Sequence, residues 1–315
     1  MKTYQLKNET RVSRIACGCM NLGQLETVED RERLIDTALS AGINFYDHAD
    51  IYGAGYCETA FGELLKRNPA WRDHMVIQSK CGIRFAGDTY GDSAPSRYDF
   101  SYEHIMRSVE GILERLQIEQ LDILLLHRPD LLMEPDEVAR AFDALSGSGK
   151  VADFGVSNFD GHQIELLQRS LDQDLIVNQV EVSLLHAELI AEGARVNTGQ
   201  GFAPASGMLD DCRLKGITIQ AWSPVAGGRL FSPPADAPQN VRETSSLVHE
   251  LAERHATNAS AILLAWLLRH PAGIQPVLGT TNPERLRQSA EADGVELSRE
   301  DWYSLLERAQ GRSVP

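Results

Sequence analysis

The stretch Leu121-Asp-Ile-Leu-Leu-Leu126-His127-Arg-Pro-Asp130 is a short apolar run that stops abruptly on ionisable residues. It lies between two longer stretches, 101–116 and 135–145, whose apolar residues recur at three- and four-residue spacing, the signature of amphipathic helices. The same unit repeats in both directions along the chain. Further apolar runs stand at 14–17, 43–46, 75–79, 153–156, 175–178, 217–221 and 275–278, with helical periodicity at 28–41, 160–169 and 243–268. With 121–126 these make eight strands in 315 residues, the size of an α/β chain folded as a (β/α)8 TIM barrel. A doubly wound open sheet is the alternative, since alternation alone does not distinguish closure. Strand count, and the absence of a dinucleotide fingerprint after the first strand, favour the barrel.

Two segments sit outside the alternation. Residues 4–14 read as two extended pieces around Lys7-Asn8-Glu9, an N-terminal β-hairpin that closes the barrel floor. Residues 298–309 open with Ser298-x-x-Asp301, a capping signal, and predict a C-terminal extra helix outside the barrel. No Pro/Gly/Ser linker interrupts the chain, so a single domain over 1–315 is expected. Three glycine-rich stretches fail as phosphate loops. The stretch 145–151 lacks the first Walker glycine and carries Val151 where a magnesium-binding hydroxyl is needed, and 53–55 and 199–201 lack a third glycine.

Composition narrows the function. Thirty basic residues against 45 acidic ones give a formal charge of -15, which argues against a protein that coats nucleic acid or anionic membrane. The longest apolar run, 261–268, is far short of the roughly 20 residues of a membrane helix. The first 20 residues lack the apolar stretch of a secretory signal, and five scattered cysteines fit a reducing compartment, so a cytoplasmic protein is expected. Cys17-x-Cys19 has no second close pair to complete a metal site and reads as buried thiols. The sequons at Asn8 and Asn258 are chance matches.

In a barrel the chemistry gathers at the carboxyl ends of the strands. After the second strand comes Asp47-His-Ala-Asp50-Ile-Tyr52, after the third Ser79-Lys80-Cys-Gly, and after the fourth His127. A lysine ending an apolar strand needs an acid to neutralise it, and Asp47 on the adjacent strand is the partner. That ammonium can stabilise the Tyr52 phenolate and lower its pKa toward working pH, which suits a proton donor to a carbonyl oxygen. His127 can orient that oxygen by a hydrogen bond. Singly, each residue has a structural explanation: a buried ion pair, a packed tyrosine, a core histidine. Four on three successive strand ends make a carbonyl-polarising site.

These residues resemble the aldo-keto reductase family. Gly42-Ile-Asn-Phe-Tyr-Asp47-His-Ala-Asp-Ile-Tyr52-Gly is similar to its Asp-to-Tyr motif, Ile77-Gln-Ser-Lys80-Cys-Gly to its lysine strand, and Leu124-Leu-Leu-His127-Arg-Pro-Asp to its histidine strand. The resemblance implies a tetrad of Asp47, Tyr52, Lys80 and His127. It further implies that Ser157 and Asn158, assisted by Gln179, hold a nicotinamide carboxamide. In Ala221-Trp222-Ser223-Pro224-Val-Ala-Gly227-Gly228-Arg229-Leu, Trp222 would stack on the nicotinamide, where many relatives have tyrosine, while Ser223 to Arg229 wrap the pyrophosphate. Gly279, Thr280, Thr281, Arg285 and Gln288 resemble the clamp on an adenosine 2′-phosphate. A hydroxyl-rich turn opening a helix with Pro283 in its first turn suits an anion independently of the likeness, and Arg285 adds a planar cation.

The likeness spans nearly the whole chain and implies an NADPH-dependent reductase of small-molecule carbonyls, using NADP(H) and no metal, and a monomer. Two departures stand out. His48 replaces a common threonine and is expected to be a satisfied histidine beside the tetrad, or else to crowd or hydrogen-bond near it. The stretch 188–208 is long for a barrel connection and reads as a flap over the mouth or a surface insertion. With 84–100 it is the candidate substrate-selecting loop. Three other functions compete. A metal-dependent hydrolase would use His48, Asp50, His127 and His186, and metal analysis would reveal it. A Schiff-base lyase on Lys80 would be trapped by borohydride, and a nucleotide-sensing subunit would bind cofactor with vestigial turnover.

Overall fold

The computed structural model describes residues 1–87, 94–195 and 207–315. In chain order, β1 (Thr3–Gln5) and β2 (Arg11–Ser13) form an antiparallel hairpin, followed by β3 (Ala16–Gly18), α1 (Val28–Ser40), β4 (Phe45–Asp47), α2 (Tyr56–Arg67) and β5 (Val76–Cys81). A small hairpin, β6 (Ile83–Arg84) with β7 (Arg97–Tyr98), precedes α3 (Tyr102–Leu116), β8 (Leu121–Leu126), α4 (Pro135–Gly147), β9 (Val151–Ser157) and α5 (Gly161–Gln168). Then come β10 (Leu175–Glu181), α6 (Glu188–Ala191), α7 (Met208–Lys215), β11 (Thr218–Trp222), α8 (Gln239–Arg254), α9 (Ala259–Leu268), β12 (Gln275–Leu278), α10 (Pro283–Ala290) and α11 (Arg299–Gln310).

The sheet closes. β3, β4, β5, β8, β9, β10, β11 and β12 pair in parallel round a full circle, β12 returning to β3 through Val277↔Ala16 and Leu278↔Cys17. The open-sheet alternative is thereby excluded. The N-terminal hairpin plugs the floor: Leu6 and Val12 are buried with Ala16, Phe45, Ile123 and Val177 in a cluster separate from the main core. Between barrel and helices lies the larger apolar layer, and α11 joins it through Trp302, stacked on Trp266 at 5.2 Å. Each indole N–H of that pair donates to the other's backbone carbonyl, at 3.2 and 2.9 Å, so the buried Trp266 and half-buried Trp302 pack with no donor stranded.

Two boundaries differ from the sequence expectation for physical reasons. The strands run further toward their carboxyl ends than apolarity suggests, so that Asp47, Lys80, Ser157 and Gln179 are strand residues whose ladders continue through Gly18↔Asp47 and Gln179↔Ser157. Their polar groups hydrogen-bond one another, Ser157 Oγ donating to the Gln179 carbonyl and Asp47 accepting from Lys80 and Gln179, so polarity does not end the strand. Residues 243–268 are two helices, not one. The chain turns through Ala256 at φ 51°, and the Asn258 side chain caps α9 by accepting from the Ala261 N–H. That asparagine is the very residue of the chance sequon. Of the stretch 188–208, α6 and the start of α7 are described, while 196–206 lie outside the described residues, as do 88–93 within 84–100.

Candidate active site

Lys80, fully buried on β5, is the centre of the site. Its Nζ donates to Asp47 Oδ2 at 2.8 Å, to the His48 carbonyl at 2.8 Å and to Tyr52 Oη at 3.0 Å. Three donors meet three acceptors, so the ammonium needs no water. Burial alone would lower its pKa, but Asp47 and Tyr52 outweigh burial and raise it. Asp47 is fixed by two further partners, its Oδ1 accepting from Gln78 Nε2 at 2.7 Å and Gln179 Nε2 at 2.9 Å while also lying 2.8 Å from Lys80 Nζ.

Tyr52 reaches this cation because the chain turns sharply after β4. Gly53, Ala54 and Gly55 all adopt positive φ (58°, 53° and 89°), folding Tyr52–Gly55 into a tight turn that feeds α2. Ala54 is the costly member, since a left-handed conformation costs a non-glycine residue about 1 kcal/mol. The phenol differs from expectation. Burial raises its pKa, Lys80 only partly offsets that, and Asp47 adds to the rise. Tyr52 therefore keeps its proton, and since its oxygen already accepts from Lys80, the O–H is left to donate elsewhere.

His127 follows β8, its ring 6.0 Å from that of Tyr52 and edge-on to it. Burial first, then the charges of Lys80 and Arg128, hold it down to about 2, so the imidazole is neutral. Its Nδ1 is buried without a hydrogen-bond partner. His48 is no satisfied histidine. It is wholly buried, edge-on to Phe61 at 4.5 Å, with neither ring nitrogen partnered, and burial followed by the Lys80 charge lowers it to about 3.

Asp47, Tyr52 and His127 line one wall of a cavity of about 970 Å³ at the carboxyl ends of the strands. Of the positions expected to hold a cofactor, Ser157, Asn158, Gln179, Trp222, Ser223, Gly279, Thr280, Arg285 and Gln288 line the same cavity. Arg229 and Thr281 do not. Arg229 is exposed and turns back to donate to the Ala226 carbonyl at 3.1 Å. Asn158 and Ser223 hold left-handed conformations (φ 64° and 52°), strain of the kind that gathers at ligand clamps. Asn158 is tightly held: the Trp222 indole donates to its Oδ1 at 3.2 Å, and its Nδ2 donates to the His127 carbonyl and to Ser157 Oγ.

At the far end, Pro283 opens α10 and Asn282 caps it, accepting the Arg285 N–H at 3.1 Å. That end therefore offers one fewer free donor than the sequence suggests. The exposed Arg285 side chain becomes its main positive group.

Sequence reasoning missed an amide belt inside the barrel. Gln220 Oε1 accepts from Gln78 Nε2 and Gln179 Nε2, both at 2.9 Å, and its own Nε2 donates to Gln275 Oε1 at 2.9 Å. The available signal was a glutamine within or directly after four of the eight apolar runs, where a buried amide must find partners. A second missed group is Glu58, fully buried, taking hydrogen bonds from Ser79 Oγ at 2.5 Å and Arg115 Nε at 2.8 Å. The residues of a metal-dependent hydrolase are not brought together: among the described residues no three His, Cys, Asp or Glu side chains converge as ligands. All five cysteines are free and buried. Among the described residues no helix is long and apolar enough to cross a membrane.

Comparison with known proteins gives a consistent picture. A model of the aldo/keto reductase family matches residues 14–308. An oxidoreductase of Bacillus subtilis, YcsN, is 36% identical over 100% of both chains, and a 6-dehydroglucose reductase of Agrobacterium fabrum is 35% identical over 100% of both. The oxidoreductase YdhF of Escherichia coli is 40% identical over 89% of this chain and 88% of its own. Among solved structures, a thermostable aldo-keto reductase crystallised with the inhibitor epalrestat shares the fold, with a TM-score of 0.76 at 24% identity, covering 98% of this chain and 100% of its own. With a closed parallel barrel and a match along nearly its whole length, this chain belongs to the aldo/keto reductase family of oxidoreductases.

Proposed function

We propose that the protein is an NADP(H)-dependent reductase of aldehydes or ketones, with Tyr52 as the general acid. The observation that carries this reading is the short contact from Lys80 Nζ to Tyr52 Oη, 3.0 Å, at the wall of a cavity far larger than a small carbonyl compound requires. The cavity runs without interruption from Tyr52 and His127 to Arg285, and that length suits a dinucleotide together with its substrate. The lining chemistry fits as well. Gln179 has both Nε2 hydrogens engaged by Asp47 and Gln220, which leaves its Oε1 as an acceptor for a carboxamide. Trp222 offers a flat apolar face beside it, held by its bond to Asn158. Arg285 and Thr280 supply a cation and a hydroxyl for a 2′-phosphate.

When bound, the reduced nicotinamide supplies the hydride. The residues of this chain do the rest. Tyr52, kept protonated by burial, donates its proton to the carbonyl oxygen as negative charge develops there, and Lys80 stabilises the phenolate left behind. Asp47 holds Lys80 in place and balances its charge. Neutral His127 donates one hydrogen bond to the same oxygen without competing for the proton. The relatives named 6-dehydroglucose reductase support reduction as the direction.

Titration of the purified protein with NADPH and with NADH, read by quenching of its tryptophan fluorescence, tests the cofactor assignment. Micromolar NADPH binding that weakens at least about tenfold in Arg285→Ala is expected, a loss of about 1.4 kcal/mol or more. Binding of neither nucleotide overturns the reading.

A further inference from the structure

A smaller chamber of about 330 Å³ adjoins the main cavity, and the two share Arg128, Asn158 and Trp222 in their walls. Five ionisable side chains line it. Asp160 is occupied capping α5, where its Oδ1 accepts the Gln163 N–H at 2.8 Å. His186 and Glu188 face each other at 3.9 Å. The other two are unmatched. Arg128, the residue after His127, lies with its guanidinium 5.9 Å from the Trp222 ring centre, and Glu181 ends β10 directly beside Trp222 on β11. Both are half-buried, and beyond the contact of Arg128 with the Trp222 ring neither side chain makes a hydrogen bond or ion pair with any described residue.

A cation and an anion in one chamber would gain by meeting, and each loses hydration where it stands. Lining one chamber without pairing, they leave its space to a ligand with donors for Glu181 and acceptors for Arg128. We infer that Arg128 and Glu181 set the substrate preference of this reductase, the chamber taking the polyhydroxylated part of a neutral carbonyl compound while its carbonyl lies at Tyr52 and His127. This inference rests on the reductase reading above. Hydroxyl groups serve as donor to the carboxylate and acceptor from the guanidinium at once. Three carboxylates, Asp160, Glu181 and Glu188, line the chamber with a single arginine, so a carboxylate or phosphate is disfavoured. A purely aromatic aldehyde fits the apolar part of the lining, Phe159, Val180 and Leu189, but strips water from two charges and returns nothing.

The test compares kcat/KM for three probes with saturating NADPH: D-erythrose, D-glucuronate and benzaldehyde. The wild-type protein should favour D-erythrose over D-glucuronate. In Glu181→Leu and Arg128→Met the ratio of kcat/KM for D-erythrose over benzaldehyde should fall about tenfold or more, mainly through KM, since each loses a hydrogen bond to a charged group. Glu181→Leu is the cleaner variant, because Arg128 also acts on the charge of His127. A ratio within about threefold of wild type in both variants, or a preference for D-glucuronate, overturns the inference while leaving the reductase assignment standing. Failure to turn over any of the three probes, with no NADPH binding, overturns the reductase assignment and the inference with it.

Discussion

Lys80 Nζ sits 3.0 Å from Tyr52 Oη and 2.8 Å from Asp47 Oδ2, so one ammonium joins the phenol to the carboxylate. Burial of the ammonium and the carboxylate makes the arrangement intolerant of losing either. Lys80→Met leaves Asp47 inside the barrel with only the amides of Gln78 and Gln179 for company. The expected cost is about 3 to 5 kcal/mol of folding stability. Adding Asp47→Asn to that variant should recover part of the loss, because no unpaired charge remains. Denaturant unfolding of the two variants checks this, and a Lys80→Met cost below about 1 kcal/mol would contradict the buried pair.

The ionisable members of this site were legible because each ends an apolar run, where an unexplained charge is costly. What lay out of sight was contact across the barrel. Gln78 and Gln220 are 142 positions apart and meet only because the sheet closes. The direction of the Tyr52 shift was equally hidden, since it depends on burial outweighing Lys80, and depth is a property of the folded chain. The break in 243–268 was signalled by Asn258, a helix-capping residue type, but the apolar periodicity on either side hid it. The unpaired state of Arg128 and Glu181 has no trace in the sequence.

His48 offers a pH test. Its ring is neutral when folded down to about pH 3, whereas the unfolded chain takes up a proton near the ordinary value of 6.5. Below 6.5 the unfolded state binds more protons, so stability falls as pH falls. The slope from this one group is roughly 1.4 kcal/mol per pH unit. His48→Leu should unfold with a shallower acid slope than the parent between about pH 6.5 and 5, measured by denaturant unfolding at each pH. Identical slopes would show that the imidazole is not held neutral.

Asp50 should act in the opposite direction. Burial, then the charge of Glu58, raises its carboxyl from 3.8 to about 7. Between those values the folded chain holds a proton that the unfolded chain has lost, so stability falls as pH rises and levels off above about 7. Asp50→Asn carries no such loss. Its stability relative to the parent should climb from about pH 5 to 7 and then stay constant, and a difference independent of pH would contradict the raised carboxyl.

In the proposed reaction Tyr52 gives its proton to the carbonyl. The direct measurement is turnover of an aldehyde by Tyr52→Phe, followed by NADPH consumption, with NADPH affinity measured on the same preparation. Loss of the hydroxyl alone should lower kcat by about a hundredfold or more, the usual contribution of a positioned general acid, with NADPH binding within about threefold of wild type. Retention of most turnover alongside intact NADPH binding would contradict the role of Tyr52 as proton donor.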